Sequence, residues 1–155
     1  MKNPLILIFV GIVAAHAADS PAPVAMDASV AVVANDLHAK GALPLHISHG
    51  QTIVLKDYLV TGKTTIFDFY SDYCPPCRAL SPLLEQLHKE RTDVAVVKVD
   101  INRPGVVGID WDSPVAHEFG LQLIPNLEVY SPNGALQSQG DDARNLVIGW
   151  IQALN

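Results

Sequence analysis

Both cysteines of this chain lie in one stretch, FDFYSDYCPPCRALSPLLEQL, where only two prolines separate them. Before Cys74 the stretch is a run of aromatic and apolar residues interrupted by one acid, Asp68, which is typical of a buried strand. After Cys77, leucines recur at the spacing of one helical face. The sequence therefore predicts a strand over residues 64–70 that turns directly into a helix over residues 74–90. A C-x-x-C at such a junction constrains the fold more than any other feature of the chain.

The elements on either side of this junction follow the alternation of an α/β protein. Residues 94–100, VAVVKVD, form a continuous β-branched run, as in strands buried on both faces of a parallel sheet. The other predicted elements are strand-like runs at 45–48 and 52–55, a helical turn within 56–63, a short helix at 113–119, a hairpin within 126–140 and a helix at 144–154. The order β-α-β-α-β-β-α predicts an α/β fold with a mixed central β-sheet flanked by helices.

The chain begins with a pattern typical of protein export. One lysine, Lys2, precedes an almost unbroken apolar run that ends at Val13, and small residues follow at Ala15 and Ala17. This arrangement matches a secretory signal peptide with its cleavage site, so we expect residues 1–17 to be removed on export to the periplasm. The apolar run is too short to span a bilayer comfortably, and no stable membrane insertion is expected after cleavage. An uncleaved N-terminal anchor is the alternative.

The remaining sequence divides into a linker and one domain. Residues 18–44 are rich in Ala, Val and Pro and show little periodicity, which is typical of a flexible linker. Residues 45–155 are long enough for one core of ordinary size and too short for two. The formal net charge is −6 at pH 7 and no basic run is present to attract phosphates, so a nucleic acid partner is not expected.

Three interpretations of the two cysteines can be compared. A structural disulfide across two residues would close too small a loop to restrict the unfolded chain much. A structural zinc site needs four ligands, yet the histidines form no second compact pair. A redox dithiol is favoured, because a C-x-x-C at a strand-to-helix junction in an exported protein is typical of disulfide exchange. The redox-active disulfide Cys74–Cys77 then replaces any cofactor, and no metal is expected.

The spacing of the cysteines suits thiol chemistry. Cys74 at the N-cap places its sulfur at the positive end of the helix dipole, which stabilises a thiolate. Cys77 lies one turn inside the helix, close enough to attack a mixed disulfide formed at Cys74. Pro75 and Pro76 fall in the first turn, where the N–H groups that they lack would have had no intrahelical partner.

The segments FDFYSDYCPPCR and FGLQLIPN resemble the active-site strand and the cis-proline segment of the thioredoxin superfamily. The resemblance implies that Asp68 is a buried acid with a raised pKa that accepts the proton of Cys77, and that Lys98 is the lysine facing it. It also implies that Pro125 is the cis-proline and that the backbone of Ile124 pairs with substrate. A satisfied structural acid and a plain surface lysine are the alternatives for Asp68 and Lys98.

The sequence also departs from the thioredoxin pattern. Tyr73 and Tyr70 stand where thioredoxins usually carry Trp, and Pro75-Pro76 replaces Gly-Pro. The Pro-Pro dipeptide, together with GQTIVLKDYL, is similar to the exported TlpA-like reductases, although the large central insertion of that group is missing from this sequence. By the same resemblance, we expect Tyr73, Pro75 and Pro76 to contact substrate.

A local insertion, NRPGVVGIDWDSP, follows the strand that carries Lys98. Trp111 lies between Asp110 and Asp112 in this insertion and either fills the loop or contacts a partner, since exposed Trp is enriched at interfaces. The two aspartates favour a cation site only weakly, because D-x-D without further oxygen ligands is common in ordinary loops.

The sequence therefore predicts an exported thiol-disulfide oxidoreductase that acts as a reductase. Its expected partners are client proteins with thiols or disulfides and a membrane redox donor or acceptor that resets the dithiol. The alternative is a thioredoxin-fold module that binds clients or Cu(I) on its thiolates without turnover.

Overall fold

The structure, a computed structural model, describes residues 43–154. The signal peptide and most of the linker that the sequence predicts lie outside the described residues. The strands are β1 (Leu45–Ile47), β2 (Thr64–Tyr70), β3 (Val94–Asp100), β4 (Asn126–Tyr130) and β5 (Leu136–Gln139). The helices are α1 (Pro75–Glu90), α2 (Pro114–Glu118) and α3 (Gly140–Gln152), with a 3₁₀ turn at Leu55–Tyr58. Within this part of the chain, each helix is too short or too polar to cross a membrane.

The five strands form one sheet in the order β1-β3-β2-β4-β5. Strand β3 pairs in parallel with both β1 and β2, whereas β4 runs antiparallel to β2 and β5. Helix α1 connects the parallel strands β2 and β3, and a tight turn connects the hairpin of β4 and β5. The predicted α/β fold, with a mixed central sheet flanked by helices, is therefore confirmed.

Strands β2 and β3 are buried on both faces, as their continuous apolar runs predict. On one face, Ile66 and Val96 pack with apolar residues of α1 and α3. On the other face, Phe67 and Phe69 pack with residues of α2 and the 3₁₀ turn. Both phenylalanine rings are fully buried, and such a ring is worth about 3–5 kcal/mol of stability relative to Ala. The two strands therefore form a rigid support for the segments that follow their carboxyl ends.

Helix α1 begins directly after Cys74, which is its N-cap, as the sequence predicts. Its apolar stripe buries Leu80, Leu84 and Leu87 against the sheet. Pro82 lies inside the helix on its exposed side, where its ring does not meet the core. Because the stripe fixes the helix on the sheet, the first turn of α1 is held at the carboxyl end of β2.

The strand predicted at residues 52–55 is wrong. Strand β1 ends in a turn in which Ser48 and His49 have φ angles of 76° and 49°, in the left-handed region, and this turn leads the chain away from the sheet. The N–H of Ile53 then donates to the carboxylate of Glu118, at 3.1 Å, and not to a neighbouring strand. Ile53 and Leu55 pack against the core from a backbone that is not a strand, so their spacing resembled that of a strand.

The predicted start of the C-terminal helix is also wrong, because α3 begins at Gly140 and not at residue 144. Its first turn contains Asp141 and Asp142, whose negative charges are favourable at a helix N-terminus. The first buried side chain of α3 is Ala143. Since hydrophobic periodicity starts only there, it could not reveal the polar first turn.

Gly50 joins the end of β1 to the loop that follows β3. Its N–H donates to the carbonyl of Asp100 at 2.9 Å, and its own carbonyl accepts from the N–H of Val115 at 3.3 Å. Its φ is +78°, and a Cβ at this position would lie 2.5 Å from Cγ of Arg103. Only glycine allows this close approach. The approach holds the loop that follows β3 beside the end of β1.

Candidate active site

The two cysteines form a disulfide at the start of α1, with their Cα atoms 5.3 Å apart. The N–H of Cys77 donates to Sγ of Cys74 at 3.2 Å, so the Cys74 sulfur accepts from the first helical turn as expected of an N-cap. Pro75 and Pro76 occupy the two positions between them and carry no N–H. Cys74 is 2% exposed and Cys77 is fully buried, so Cys74 is the sulfur nearer to solvent.

The predicted cis-proline segment lies against the disulfide. The Ile124–Pro125 peptide bond is cis, and the carbonyl oxygen of Ile124 is 3.6 Å from Sγ of Cys74. Tyr73 lies in the segment of Cys74 and Leu123 in the segment of Ile124, and both side chains are exposed and apolar. A backbone carbonyl beside the outer sulfur, with apolar side chains nearby, is suited to hold an extended peptide next to the disulfide.

Asp68 and Lys98 form an ion pair inside the protein. They are opposite each other in the parallel register of β2 and β3, and Nζ of Lys98 lies 3.1 Å from Oδ2 of Asp68, with side chains 2% and 1% exposed. Lys98 also donates to the hydroxyl of Ser81 in α1. The interpretation of Lys98 as a surface lysine is therefore wrong, because the middle of β3 is covered by α1.

The carboxylate of Asp68 is poorly solvated by the protein. Within residues 43–154, neither of its oxygens accepts a hydrogen bond of good geometry. Burial raises the pKa of Asp68 above its ordinary value, and the positive charge of Lys98 opposes that rise only in part. A buried carboxylate with a raised pKa binds a proton more readily than an ordinary aspartate, which suits it to accept the proton of a thiol.

Two residues that the sequence did not assign to the site contact Lys98 or its neighbours. The ring of Tyr70 lies beneath the Lys98 ammonium, with Nζ 4.2 Å from the ring centroid. The hydroxyl of Tyr70 is hydrogen-bonded to Nδ1 of His46, at 2.8 Å. Asp68 and Tyr70 are two residues apart on one strand, which could have suggested a shared face, but no sequence pattern connects His46 to them.

The insertion loop, residues 102–113, follows β3 and is ordered by its own polar groups. The carboxylate of Asp110 accepts from Nε of Arg103 at 2.7 Å, from its Nη2 at 2.9 Å and from its backbone N–H at 3.1 Å. The side-chain amide of Asn102 donates to the carbonyl of Gly108 at 2.6 Å. Val107 and Trp111 remain exposed, so the loop presents apolar side chains from a braced backbone.

The weak cation site at Asp110 and Asp112 is not supported. Arg103 already occupies the carboxylate of Asp110, whereas the side chain of Asp112 is 92% exposed and lies 4.0 Å from Nε2 of His117. Across residues 43–154, no group of three His, Cys, Asp or Glu side chains is arranged to hold a metal ion.

A disulfide with one outer and one inner sulfur can exchange electrons with other thiols and disulfides through a mixed disulfide at the outer sulfur. Such a disulfide at the junction of β2 and α1, on a mixed sheet flanked by helices, is the arrangement of a thioredoxin-type dithiol site. The chain belongs to the thioredoxin family, whose family model, described as "Thioredoxin", matches residues 51–153.

Known thioredoxins agree with this assignment. A thioredoxin of Mycoplasmoides gallisepticum is 31% identical over 73 residues, covering 47% of this chain and 65% of that protein. Thioredoxin Asp f 28 of Aspergillus fumigatus is 25% identical over 107 residues, covering 64% of this chain and 92% of the relative. The crystal structure of spinach chloroplast thioredoxin f has the same fold, with a TM-score of 0.51 at 20% identity, over 77% of this chain and 92% of that one. The chain thus spans less than two thirds of the Mycoplasmoides relative.

Proposed function

We propose that this protein is an exported thiol-disulfide reductase that acts on disulfides of client proteins. The observation that carries the proposal is the placement of the Cys74–Cys77 disulfide, with its outer sulfur 3.6 Å from the carbonyl of Ile124 beside cis-Pro125. A client strand lying on this segment would bring its own disulfide to Cys74. The exposed side chain of Tyr73 offers further contact to the client.

The reaction transfers two electrons from the dithiol to the client. The Cys74 thiolate attacks one sulfur of the client disulfide, forming a mixed disulfide and releasing the other client sulfur as a thiolate. Cys77 loses its proton to Asp68 and attacks Sγ of Cys74. The second client thiolate leaves, and the Cys74–Cys77 disulfide is formed. The positive charge of Lys98 opposes the rise of the Asp68 pKa and so favours the carboxylate form that accepts the proton.

The redox cycle and the location of the protein follow from this chemistry and the N-terminal sequence. The cysteines are themselves the redox centre, so the reaction needs no prosthetic group. An exported reductase must regain two electrons per turnover, and a membrane dithiol donor is the class of partner that can supply them outside the cytoplasm. Periplasmic location is supported by the signal-like pattern of residues 1–17.

The roles of the two sulfurs are tested by trapping. Cys77→Ser keeps the attacking sulfur and removes the resolving one, so it should accumulate covalent complexes with client proteins that thiol reductant releases. Cys74→Ser is the matched control and should trap almost none. Equal trapping by both variants would overturn the assignment of the sulfurs. Wild-type protein should also reduce insulin through many turnovers with dithiothreitol, whereas a client-binding module would stop after stoichiometric capture.

A further inference from the structure

Four polar residues share one face of the sheet beneath α1. His46 is opposite Lys98 in the register of β1 and β3, and Lys98 is opposite Asp68 in the register of β3 and β2. Tyr70 follows Asp68 by two residues on β2 and therefore projects to the same face. The sheet thus aligns an exposed histidine of its edge strand with the buried ion pair of the proposed active site.

Direct contacts connect these residues in one chain. Nζ of Lys98 lies 4.2 Å from the centroid of the Tyr70 ring, well within the range of a cation–π contact. The Tyr70 hydroxyl and Nδ1 of His46 are 2.8 Å apart, and the two rings meet edge to face with centroids 5.7 Å apart. Tyr70 is 6% exposed, so its hydroxyl reaches the exposed edge strand from within the core.

We propose that Tyr70 and His46 are positioning residues of the dithiol site: His46 fixes the Tyr70 ring, and the ring holds the Lys98 ammonium against Asp68. The inference rests on the proposed function, in which Asp68 takes the proton of Cys77, and adds two residues that control that acid. An aliphatic residue at position 70 would leave the ammonium with Ser81 and Asp68 alone.

The charges around His46 favour its neutral form. Burial is the largest cause that lowers the pKa of His46, and the positive charge of Lys98 is the second. Negative charges on Asp72, Asp100 and Glu85 oppose this without reversing it. Burial also raises the pKa of Tyr70, so its hydroxyl stays protonated. At neutral pH the contact is therefore a bond between two uncharged groups, and either imidazole tautomer can make it.

Loss of the hydrogen bond between His46 and Tyr70 should change the pKa of Asp68, because it releases the ring that holds Lys98. A released ring holds the ammonium less well, and the ammonium is what lowers the pKa of Asp68. The pKa of Asp68 should therefore rise further in Tyr70→Phe and in His46→Ala. A shift of about 0.5 pH unit, a threefold change in the ionisation constant, is expected because a single neutral hydrogen bond is modest and acts here indirectly.

The test is titration of the Asp68 carboxyl by carbon NMR in the oxidised protein. Wild type, Tyr70→Phe, His46→Ala and the double variant are compared, and His49→Asn serves as the control. His49 is exposed and faces Asp100, and Asn tolerates its left-handed backbone. Each single variant should raise the Asp68 pKa by a similar amount, and the double variant should raise it no further. His46→Gln, whose amide can bond the hydroxyl, should restore part of the wild-type value.

An unchanged Asp68 pKa in folded Tyr70→Phe would overturn the proposal, and so would additive shifts in the double variant or an equal shift in His49→Asn. Because the titration uses oxidised protein without substrate, its result does not depend on reductase activity. Insulin reduction is measured separately. A shifted pKa in a protein without turnover would overturn the proposed function and leave only the control of the Asp68 pKa by Tyr70 and His46 established.

Discussion

Among the described residues, Asp68 and Asp110 both have little solvent-accessible surface, but they differ in depth and in hydrogen bonding. Asp68 in β2 faces a buried lysine at 3.1 Å, and neither of its oxygens accepts a well-formed hydrogen bond within the described part of the chain. Asp110 in the insertion loop accepts three hydrogen bonds from Arg103, whose guanidinium reaches solvent. Asp68 thus lies deep in the core beside one cation, whereas Asp110 is covered by the side chain of Arg103 in a surface loop.

The pKa values of the two carboxyls move in opposite directions for this reason. Burial raises the pKa of Asp68, and the charge and proximity of Lys98 oppose that rise only in part. The side-chain hydrogen bonds of Arg103 lower the pKa of Asp110 in spite of its burial. Asp110 thus stays ionised and braces a loop, whereas Asp68 can exchange a proton. The depth of Asp68 and the hydrogen bonds of Asp110 together account for the opposite shifts of the two pKa values.

The largest expected effect is on turnover. Asp68→Asn keeps the volume of the side chain and removes the proton acceptor, so insulin reduction near neutral pH should fall about 100-fold, at the low end of the range for loss of a general base. The matched variant Asp110→Asn should leave reduction of a small disulfide unchanged. It should lower the melting temperature by about 3–6 °C, since the loop loses charge-assisted hydrogen bonds.

Circular dichroism of both variants provides the control for folding. An Asp68→Asn protein that is folded and turns over at the wild-type rate, at neutral and mildly alkaline pH, would make Asp68 only a structural acid. The contrast between the two aspartates would then have no functional meaning.

A moderate effect is expected in the pH dependence of stability. The folded-state pKa of Asp68 lies above its ordinary value of 3.8, so between these two values the native state holds a proton that the unfolded state has lost. The free energy of unfolding therefore falls as pH rises through that window. For Asp110 the folded-state pKa lies below 3.8, so its contribution is present above pH 3.8 and is lost as pH falls below it.

Urea unfolding at a series of pH values measures both slopes. Asp68→Asn should flatten the decline above pH 3.8, and Asp110→Asn should flatten the loss on the acid side. If the two variants changed the same part of the pH profile, the opposite pKa shifts would be refuted.

The smallest expected effect concerns Arg103→Lys, which keeps the charge near Asp110 and removes the planar fork that makes two side-chain bonds. The loop should become less ordered around the exposed Val107 and Trp111. The rate of reduction of a folded protein client should change by about twofold or less, which corresponds to about 0.4 kcal/mol in the activation free energy. Reduction of a small disulfide is the control and should stay the same. A loss on both substrates would show that the loop supports the fold and does not select clients.

The sequence by itself determined the order of the elements around the dithiol. The change from a buried-strand pattern to leucines at helical spacing located both β2 and the start of α1, because these signals are local. Cys74 and Cys77 could be predicted to form a redox-active pair from their spacing at this junction. The resemblance to thioredoxins located the cis-proline at residue 125. Hydrophobic periodicity gave wrong predictions at residues 52–55 and in the first turn of α3. At residues 52–55 the side chains that pack against the core come from a backbone that is not a strand, and in the first turn of α3 the side chains are not yet buried.

Only the tertiary structure decided which charges are buried and what solvates them. Lys98 is the single lysine of the β3 run. It contacts Asp68 and Tyr70 of β2 and Ser81 of α1. His46 meets Tyr70 across 24 positions of the chain, and Asp110 finds Arg103 by the folding of one loop. Burial and hydrogen bonding depend on residues distant in sequence, so local patterns cannot fix a pKa. The sequence placed the sulfurs, and the packing of β3 and α1 on β2 set the contacts of Asp68 and Lys98.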